Sequence, residues 1–414
     1  MQHPVVIVGA SMGGLRAAEA LRRFGYLGPI TAIGDEPYAP YNRPPLSKEV
    51  LATEVSHEAV AFLQRTATQD VNWVLGTRVV SADLEHQTVT DTNGEVYPYG
   101  VLIVATGLRP RRLEVPNGML AGRHAVRTLD DAIGLRAELV PGAKVVIMGS
   151  GFIGCEVAAT ARKLGCDVKV VGPGTHPIVR PLGVQLASEL QRRHEAQRVE
   201  FFMNRKVVDL LGTSRVEGAV LDDGTVLECE VLVEAIGSHE NTEWLQGNDI
   251  DVTAGVLTDD ALRAVRASNG APWNNVFAIG DVARFVNPIF DETPRRVEHW
   301  NIPTDSAKRV GKVVATMLGD GIGGTAPAPE ALNEVLNEGF APIPSFWSDQ
   351  YDMHILAYGL LGLADEIKLI DGEISGDCVF GYYRGGKMVG VCGIGLRSVV
   401  QKYRSVFTVE GAKA

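Results

Sequence analysis

The chain opens on four consecutive apolar residues, Val5-Val6-Ile7-Val8, closed by Gly9-Ala10-Ser11-Met12-Gly13-Gly14. Beyond that turn Leu15, Ala18 and Leu21 recur at helical spacing until Gly25, and residues 30–34 form a second apolar run. The same succession returns 140 residues later. Val145-Val146-Ile147-Met148 meets Gly149-Ser150-Gly151-Phe152-Ile153-Gly154, a helical pattern stops at Gly165, and residues 168–171, valines with one lysine, read as a second strand. Short unbroken apolar runs predict strands buried on both faces, and a helical period ended by glycine predicts a helix. Each copy therefore reads as a β-α-β unit of a dinucleotide-binding domain. The expected class is α/β with two Rossmann-like domains.

Later segments extend this plan. Val101–Val104 runs into Ala105-Thr106-Gly107, and residues 231–235 run into Ile236-Gly237, each as a strand leaving one of the two domains. Residues 276–279 lead into Gly280-Asp281, a return to the first domain. Residues 319–344, rich in Gly, Ala and Pro, read as a linker or lid. Residues 378–383 and 387–393 flank Arg384-Gly385-Gly386, a hairpin signal. A small α/β domain is expected there, at the C-terminus.

Composition narrows the class of protein. The 414 residues suit two or three domains, at roughly 150 residues each. No apolar run approaches the ~18 residues of a spanning helix. A strand beginning near Pro4 leaves no room for a signal peptide, so a cytoplasmic protein is expected. The net charge of −11 argues against nucleic acid or an anionic membrane as main partner, and makes docking to an acidic protein depend on a local basic patch. The candidates are Arg295 and Arg296 and, near the C-terminus, Arg397, Lys402 and Arg404, with Arg397 and Arg404 on one face two turns apart if that last segment is helical. The five cysteines, Cys155, Cys166, Cys229, Cys378 and Cys392, form no CxxC or CxxxxC pair, so reduced thiols are expected and no metal site.

The glycine turns carry the first chemistry. A pyrophosphate needs backbone N–H groups at a helix N-terminus and glycines that let it approach. Gly9 and Gly14 hold the first and third glycine places, Ser11 stands at the second, and Asp35 ends the second strand, where an acid accepts from a ribose hydroxyl. Gly149, Gly151 and Gly154 complete the second fingerprint, but Gly172 stands where that acid is expected. The nearest cations downstream are His176 and Arg180, so the choice between NADH and NADPH is open. The run Pro40-Tyr41-Asn42-Arg43-Pro44-Pro45-Leu46-Ser47-Lys48 reads equally as a surface loop or as a stiffened loop holding Arg43 and Lys48 at a cofactor.

Residues 34–48, GDEPYAPYNRPPLSK, occur with Gly280-Asp281-Val282-Ala283-Arg284, Glu298-His299-Trp300 and Phe346-Trp347-Ser348-Asp349-Gln350. Together they resemble the FAD-containing ferredoxin reductases of bacterial oxygenase systems, which have a glutathione-reductase-like fold. The likeness covers nearly the whole chain, although apoptosis-inducing factors share the proline-rich run. It implies FAD, a nicotinamide coenzyme (NADH, with NADPH possible), and a [2Fe-2S] or Rieske ferredoxin as partner, with a terminal oxygenase served indirectly.

The resemblance places Asp281 on the ribityl chain of FAD, with Arg43 and Lys48 beside the cofactor. It pairs Glu156 with Lys48 near flavin N5 and sets Trp347 over the flavin. Gly13, Ala105, Thr106, Gly107, Arg109, Gly280, Val297, Trp300, Phe152, Ile153 and Gly237 are implied to line the two cofactors. By sequence alone, Glu156 is first an acid complementing a helix dipole and Trp347 a core tryptophan. Disulfide reductases of this fold carry a CxxxxC pair beside the flavin. Here the first cysteine is Cys155, so electrons should pass directly from flavin to an outside acceptor.

Departures from the family are Ser11, Gly172, Asn301-Ile302-Pro303 where Asn-Ala is usual, and a longer stretch over 319–344. The expected architecture is an FAD domain over 1–112 and 244–320, an NAD(P) domain over 113–243, and a C-terminal interface domain over 321–414. Two other readings use the same fold: an NADH oxidase or quinone reductase, and a redox-responsive binding protein of the apoptosis-inducing-factor type.

Overall fold

A computed structural model describes residues 4–53, 55–115, 120–319 and 329–408. Its helices, in chain order, are α1 (Met12–Arg23), α2 (Leu129–Glu138), α3 (Phe152–Lys163), α4 (Val179–Ala196), α5 (Ile302–Leu318), α6 (Pro329–Asn337) and α7 (Arg397–Lys402), with shorter helical turns between. The first sheet runs in the order Arg263–Val265, Pro272–Ala278, Val101–Val104, Val5–Val8, Ile30–Ile33, Asn72–Val74. Every pairing in it is parallel except the edge strand Arg263–Val265. Val5–Val8 and Val101–Val104 are buried at all four positions, as a parallel sheet covered on both faces requires.

The second sheet repeats the plan with Glu200–Met203, Asp167–Gly172, Lys144–Met148, Val231–Glu234 and Arg123–His124, all parallel. The repeat extends past the β-α-β units. Each parallel sheet is accompanied by a three-stranded antiparallel meander, Val79–Asp83 to Val96–Pro98 in one case and Val207–Leu211 to Val226–Glu228 in the other. Both fingerprint helices stop at the predicted glycine. At Gly25, φ is +95°, and Tyr26 N–H reaches back to the Leu21 carbonyl at 3.0 Å. A two-stranded ribbon, Leu108–Pro110 against Ser238–Glu240, joins the two halves.

The C-terminal unit is a five-stranded antiparallel sheet containing the predicted hairpin, Cys378–Arg384 against Lys387–Ile394. Two expectations change. Part of the supposed linker is helical: α6 packs on α5, where the buried Arg309 guanidinium donates to the carbonyls of Val335 and Glu338 at 2.8 and 2.6 Å. Of the rest, 338–344 is described and carries no helix or strand, and 320–328 lies outside the described residues. α7 is also short and passes into a tighter 3₁₀ turn over Tyr403–Val406, so Arg397 and Arg404 are not two turns apart on one α-helix. Among the described residues no helix is long and apolar enough to cross a membrane.

Candidate functional site

Both glycine turns are pinned between a strand end and a helix start. Gly9 has φ +119° and Gly149 φ +111°; a Cβ would overlap the Ala105 carbonyl at the first and the Ala235 carbonyl at the second. A Cβ on Gly14 or Gly154 would strike the carbonyl of Gly9 or Gly149. The second glycine place is less demanding. Ser11 and Gly151 are helix N-caps with φ −105° and −82°, open to any residue, and a Cβ on Gly151 meets nothing within 4 Å. Ser11 is therefore accommodated, and its hydroxyl makes no capping bond.

Beside the first turn, one acid faces outward and the next inward. Asp35 is 57% exposed and lies 3.3 Å from Arg78. Glu36 instead bonds the Tyr41 hydroxyl and the Arg43 guanidinium, each at 2.5 Å. Arg43 also donates to the Arg127 carbonyl at 2.5 Å. Burial opposes the Arg43 charge, but Glu36 and Tyr41 more than offset it, and its pKa is raised. Arg127, absent from the sequence expectations, lies 3.5 Å from Asp281 and leaves a buried Nε with no hydrogen-bond partner. Burial, reinforced by Arg43, lowers its pKa. Two guanidiniums, an orphaned N–H and a glycine cradle fit a diphosphate. A readable signal was there: Arg127 directly precedes the Thr128–Asp131 capping box that starts α2.

The proline-rich loop delivers Lys48 to α3. Lys48 Nζ stands 2.9 Å from Glu156 Oε2, the two side chains 8% and 5% exposed. The Ser47 hydroxyl donates to the same oxygen and the Ser348 hydroxyl to Oε1, both at 2.5 Å. Thr160, one helical turn beyond Glu156, donates to the Ser47 carbonyl at 2.9 Å and fastens the loop to α3. Ser47 and Ser348 lay inside quoted motifs, but nothing local marked them as partners of Glu156.

Trp347 meets Trp300 edge-to-face at 5.4 Å, and Trp300 Nε1 donates to Asn42 Oδ1 at 3.2 Å, back to the proline-rich loop. Phe152 packs on Phe346 at 4.8 Å and Phe346 on His299 at 5.2 Å. Burial lowers the His299 pKa to about 4.

The remaining candidates divide. Gly280 donates its N–H to Ser306 at 3.0 Å, Val297 is buried in the first core, and Gly107 lies against Arg127. Thr106 and Asn241 exchange hydrogen bonds at 2.7 and 2.9 Å across the join between halves. Arg109 is committed to the connecting ribbon through Glu243 at 2.5 Å. Gly237 also sits there, accepting from Arg111 N–H. Ile153 is exposed at the start of α3. At the coenzyme end a Cβ on Gly172 would collide with the Ser150 side chain, which explains the missing acid.

A family model described as pyridine nucleotide-disulphide oxidoreductase matches residues 3–307. The chain belongs to that family. As a pyridine nucleotide-disulphide oxidoreductase it is a flavoprotein enzyme using FAD and NAD(P)H. It is 33% identical over 399 residues to the ferredoxin--NAD(+) reductase component of the anthranilate 1,2-dioxygenase system of Burkholderia cepacia, covering 95% of this chain and 91% of that one. It is 32% identical over 369 residues to the rubredoxin-NAD(+) reductase of Pseudomonas putida, covering 88% of each. The solved covalent complex of putidaredoxin reductase with putidaredoxin has TM-score 0.86 at 25% identity, covering 98% of this chain and 93% of that chain. The thiol pair in the family's name has no counterpart among the described residues, where all five cysteines are free and buried.

Proposed function

We propose that this oxidoreductase draws hydride from NADH and passes single electrons to a [2Fe-2S] ferredoxin that serves an oxygenase. The names of its relatives support the partner class. One observation carries the reading: the buried Lys48–Glu156 pair joins the two dinucleotide halves with no thiol pair beside it. FAD is assigned to residues 1–112 and 244–320, the coenzyme to 113–243, and the partner-facing surface to 321–414. The cytoplasm, where reduced coenzyme and free thiols coexist, is the compartment this reading requires.

Bound FAD supplies the conversion of a two-electron hydride into the single electrons that an iron–sulfur partner accepts. The N-termini of α1 and α3 offer backbone N–H groups to the two pyrophosphates. Arg127 and Arg43 would add charge at the first, and Asp281 would accept from the ribityl hydroxyls. Lys48, kept in place by Glu156, would present a fixed cation to the bound cofactor and stabilise negative charge on it. Trp347, braced by Trp300, would exclude water from one face of the cofactor.

Anaerobic stopped-flow bleaching by NADH, followed by cytochrome c reduction with and without a [2Fe-2S] ferredoxin, tests the reading. Rapid bleaching and ferredoxin-dependent cytochrome c reduction are expected. Equal rates without ferredoxin would point to a small-molecule acceptor. Transfer confined to rubredoxin would replace the partner, and flavin that stays reduced with either protein supplied would favour a binding protein.

A further inference from the structure

Behind the Lys48–Glu156 pair, a line of buried polar side chains runs through the strand Ser345–Gln350 into α4. The Ser348 hydroxyl donates to Glu156 Oε1 at 2.5 Å, Gln350 Nε2 donates to Ser348 Oγ at 2.9 Å, and His194 Nε2 lies 2.7 Å from Gln350 Oε1. Ser348, Gln350 and His194 are each 0% exposed. Ser348 and Gln350 are two apart on the strand and share its inner face. His194, in the last turn of α4, is held edge-on by Phe201 and Tyr351 at 5.8 and 5.1 Å.

The direction of donation follows from one end of the line. A carboxylate only accepts, so the single hydroxyl proton of Ser348 goes to Glu156. Ser348 Oγ must then accept from the Gln350 amide nitrogen, which turns Gln350 Oε1 toward α4. That oxygen only accepts, so His194 donates from Nε2. His194 is thereby the Nε2–H tautomer, with Nδ1 bare and without a hydrogen-bond partner. Burial lowers its pKa to about 4, so the ring is neutral near pH 7.

We infer that His194 and Gln350 are positioning residues for flavin reduction: through Ser348 they hold the Glu156 carboxylate in the orientation that keeps Oε2 on Lys48. The inference rests on the role proposed above for that pair. No proton travels along the line, because every donor in it already faces Glu156 and a relay would need the Gln350 amide to flip. Cutting the line frees the Ser348 hydroxyl to turn, leaving Glu156 and Lys48 several arrangements in place of one.

Stopped-flow reduction of the FAD-loaded protein by NADH tests this with His194→Phe, which keeps a ring without the donor, and His194→Gln, which keeps a side-chain N–H. Ser348→Ala cuts the line at its last link, and Glu156→Gln serves as reference. The limiting rate should fall about tenfold in His194→Phe and Ser348→Ala, with an unchanged Kd for NADH, and stay within about twofold of wild type in His194→Gln. The His194→Phe/Ser348→Ala double variant should be no slower than Ser348→Ala, since both cut one line. A wild-type rate in His194→Phe overturns the inference, as does a His194→Gln protein as slow as His194→Phe. Should His194→Phe not retain FAD, Gln350→Met makes the same cut and is read the same way. A wild-type rate in Glu156→Gln would instead remove the pair from the chemistry, and the inference with it.

Discussion

Position 172 shows how one absent side chain bears on coenzyme choice. Without a carboxylate there, nothing at that place repels a 2′-phosphate, so NADH should be preferred over NADPH only modestly. Restoring the acid alone fails sterically, because Ser150 occupies the space. Gly172→Asp should lose stability without gaining selectivity. Ser150→Gly/Gly172→Asp should raise the NADH-to-NADPH ratio of kcat/KM by roughly tenfold. A gain in the single variant would contradict the packing argument. At Lys48 the same scale governs chemistry. Lys48→Met should slow flavin reduction by roughly 10²-fold while FAD stays bound, since the diphosphate contacts lie elsewhere. The rate comes from stopped flow and the retention from flavin absorbance after gel filtration. Sequence reading reached Lys48, Glu156 and Gly172. At the end of the second strand it named Asp35, which is exposed beside Arg78, and it passed over Glu36, which turns inward to Arg43; adjacent residues on an irregular loop carry no periodicity that tells which one turns in.

Among the elements, α2 links a helix cap to the cofactor site. Thr128 Oγ1 accepts from Asp131 N–H at 3.1 Å, and Asp131 Oδ2 accepts from the N–H of Thr128 and of Arg127 at 2.9 and 3.1 Å. Thr128→Ala should cost about 1 kcal/mol. Because the same cap orients Arg127, it should also weaken FAD retention, read as faster flavin loss during dialysis. A destabilised variant with unaltered FAD affinity would separate cap from site. The glycine-turn helices were legible because their limits are local: a Gly stop, an apolar period, a turn that admits no Cβ. α6 was not. Its segment is dominated by Gly, Ala and Pro, and its end is secured by Arg309, which reaches across from α5.

Across the whole molecule, two solution properties follow. His194 is neutral when folded and has its pKa lowered to about 4 by burial, against 6.5 ordinarily. Between those values the unfolded chain binds the extra proton, so stability falls as pH drops from about 6.5 to about 4. The loss reaches about 3 kcal/mol for this residue. Thermal melts of the holoenzyme across that range should show the decline, and His194→Gln should reduce it, leaving the share that belongs to His299, whose pKa burial also lowers to about 4. The second property concerns docking. Of the cations expected at a ferredoxin patch, Arg295 is paired with Asp291 at 2.5 Å and Arg296 with Glu240 and Glu298 at 3.0 Å. Arg397, Lys402 and Arg404 make no ion pair among the described residues, and Arg404 lies 5.8 Å from the ring of Tyr358, which like Trp347 is partly buried against the core of the C-terminal unit. The patch therefore moves to the C-terminal segment. Ferredoxin reduction should slow with added salt, since the screening length is ~10 Å at 0.1 M, while flavin reduction by NADH changes little. Arg404→Ala should reduce that salt dependence; equal salt dependence of both half-reactions would leave no case for a basic dock.

The amino-acid sequence by itself determined the two dinucleotide units, their glycine turns and the hairpin near the C-terminus. Each rests on backbone conformation and apolar period, which neighbouring residues dictate. It also brought Lys48, Glu156 and Trp347 forward as a set through resemblance. Only the tertiary structure decided that Arg127 stands beside Asp281 with an orphaned N–H, that Ser150 crowds a side chain at 172, and that His194, Gln350 and Ser348 line up behind Glu156. Those residues come from segments far apart in the chain, and each is ordinary in its own. A buried polar group acquires its partner from whatever the packing of sheets and helices places beside it, and no local pattern encodes that meeting.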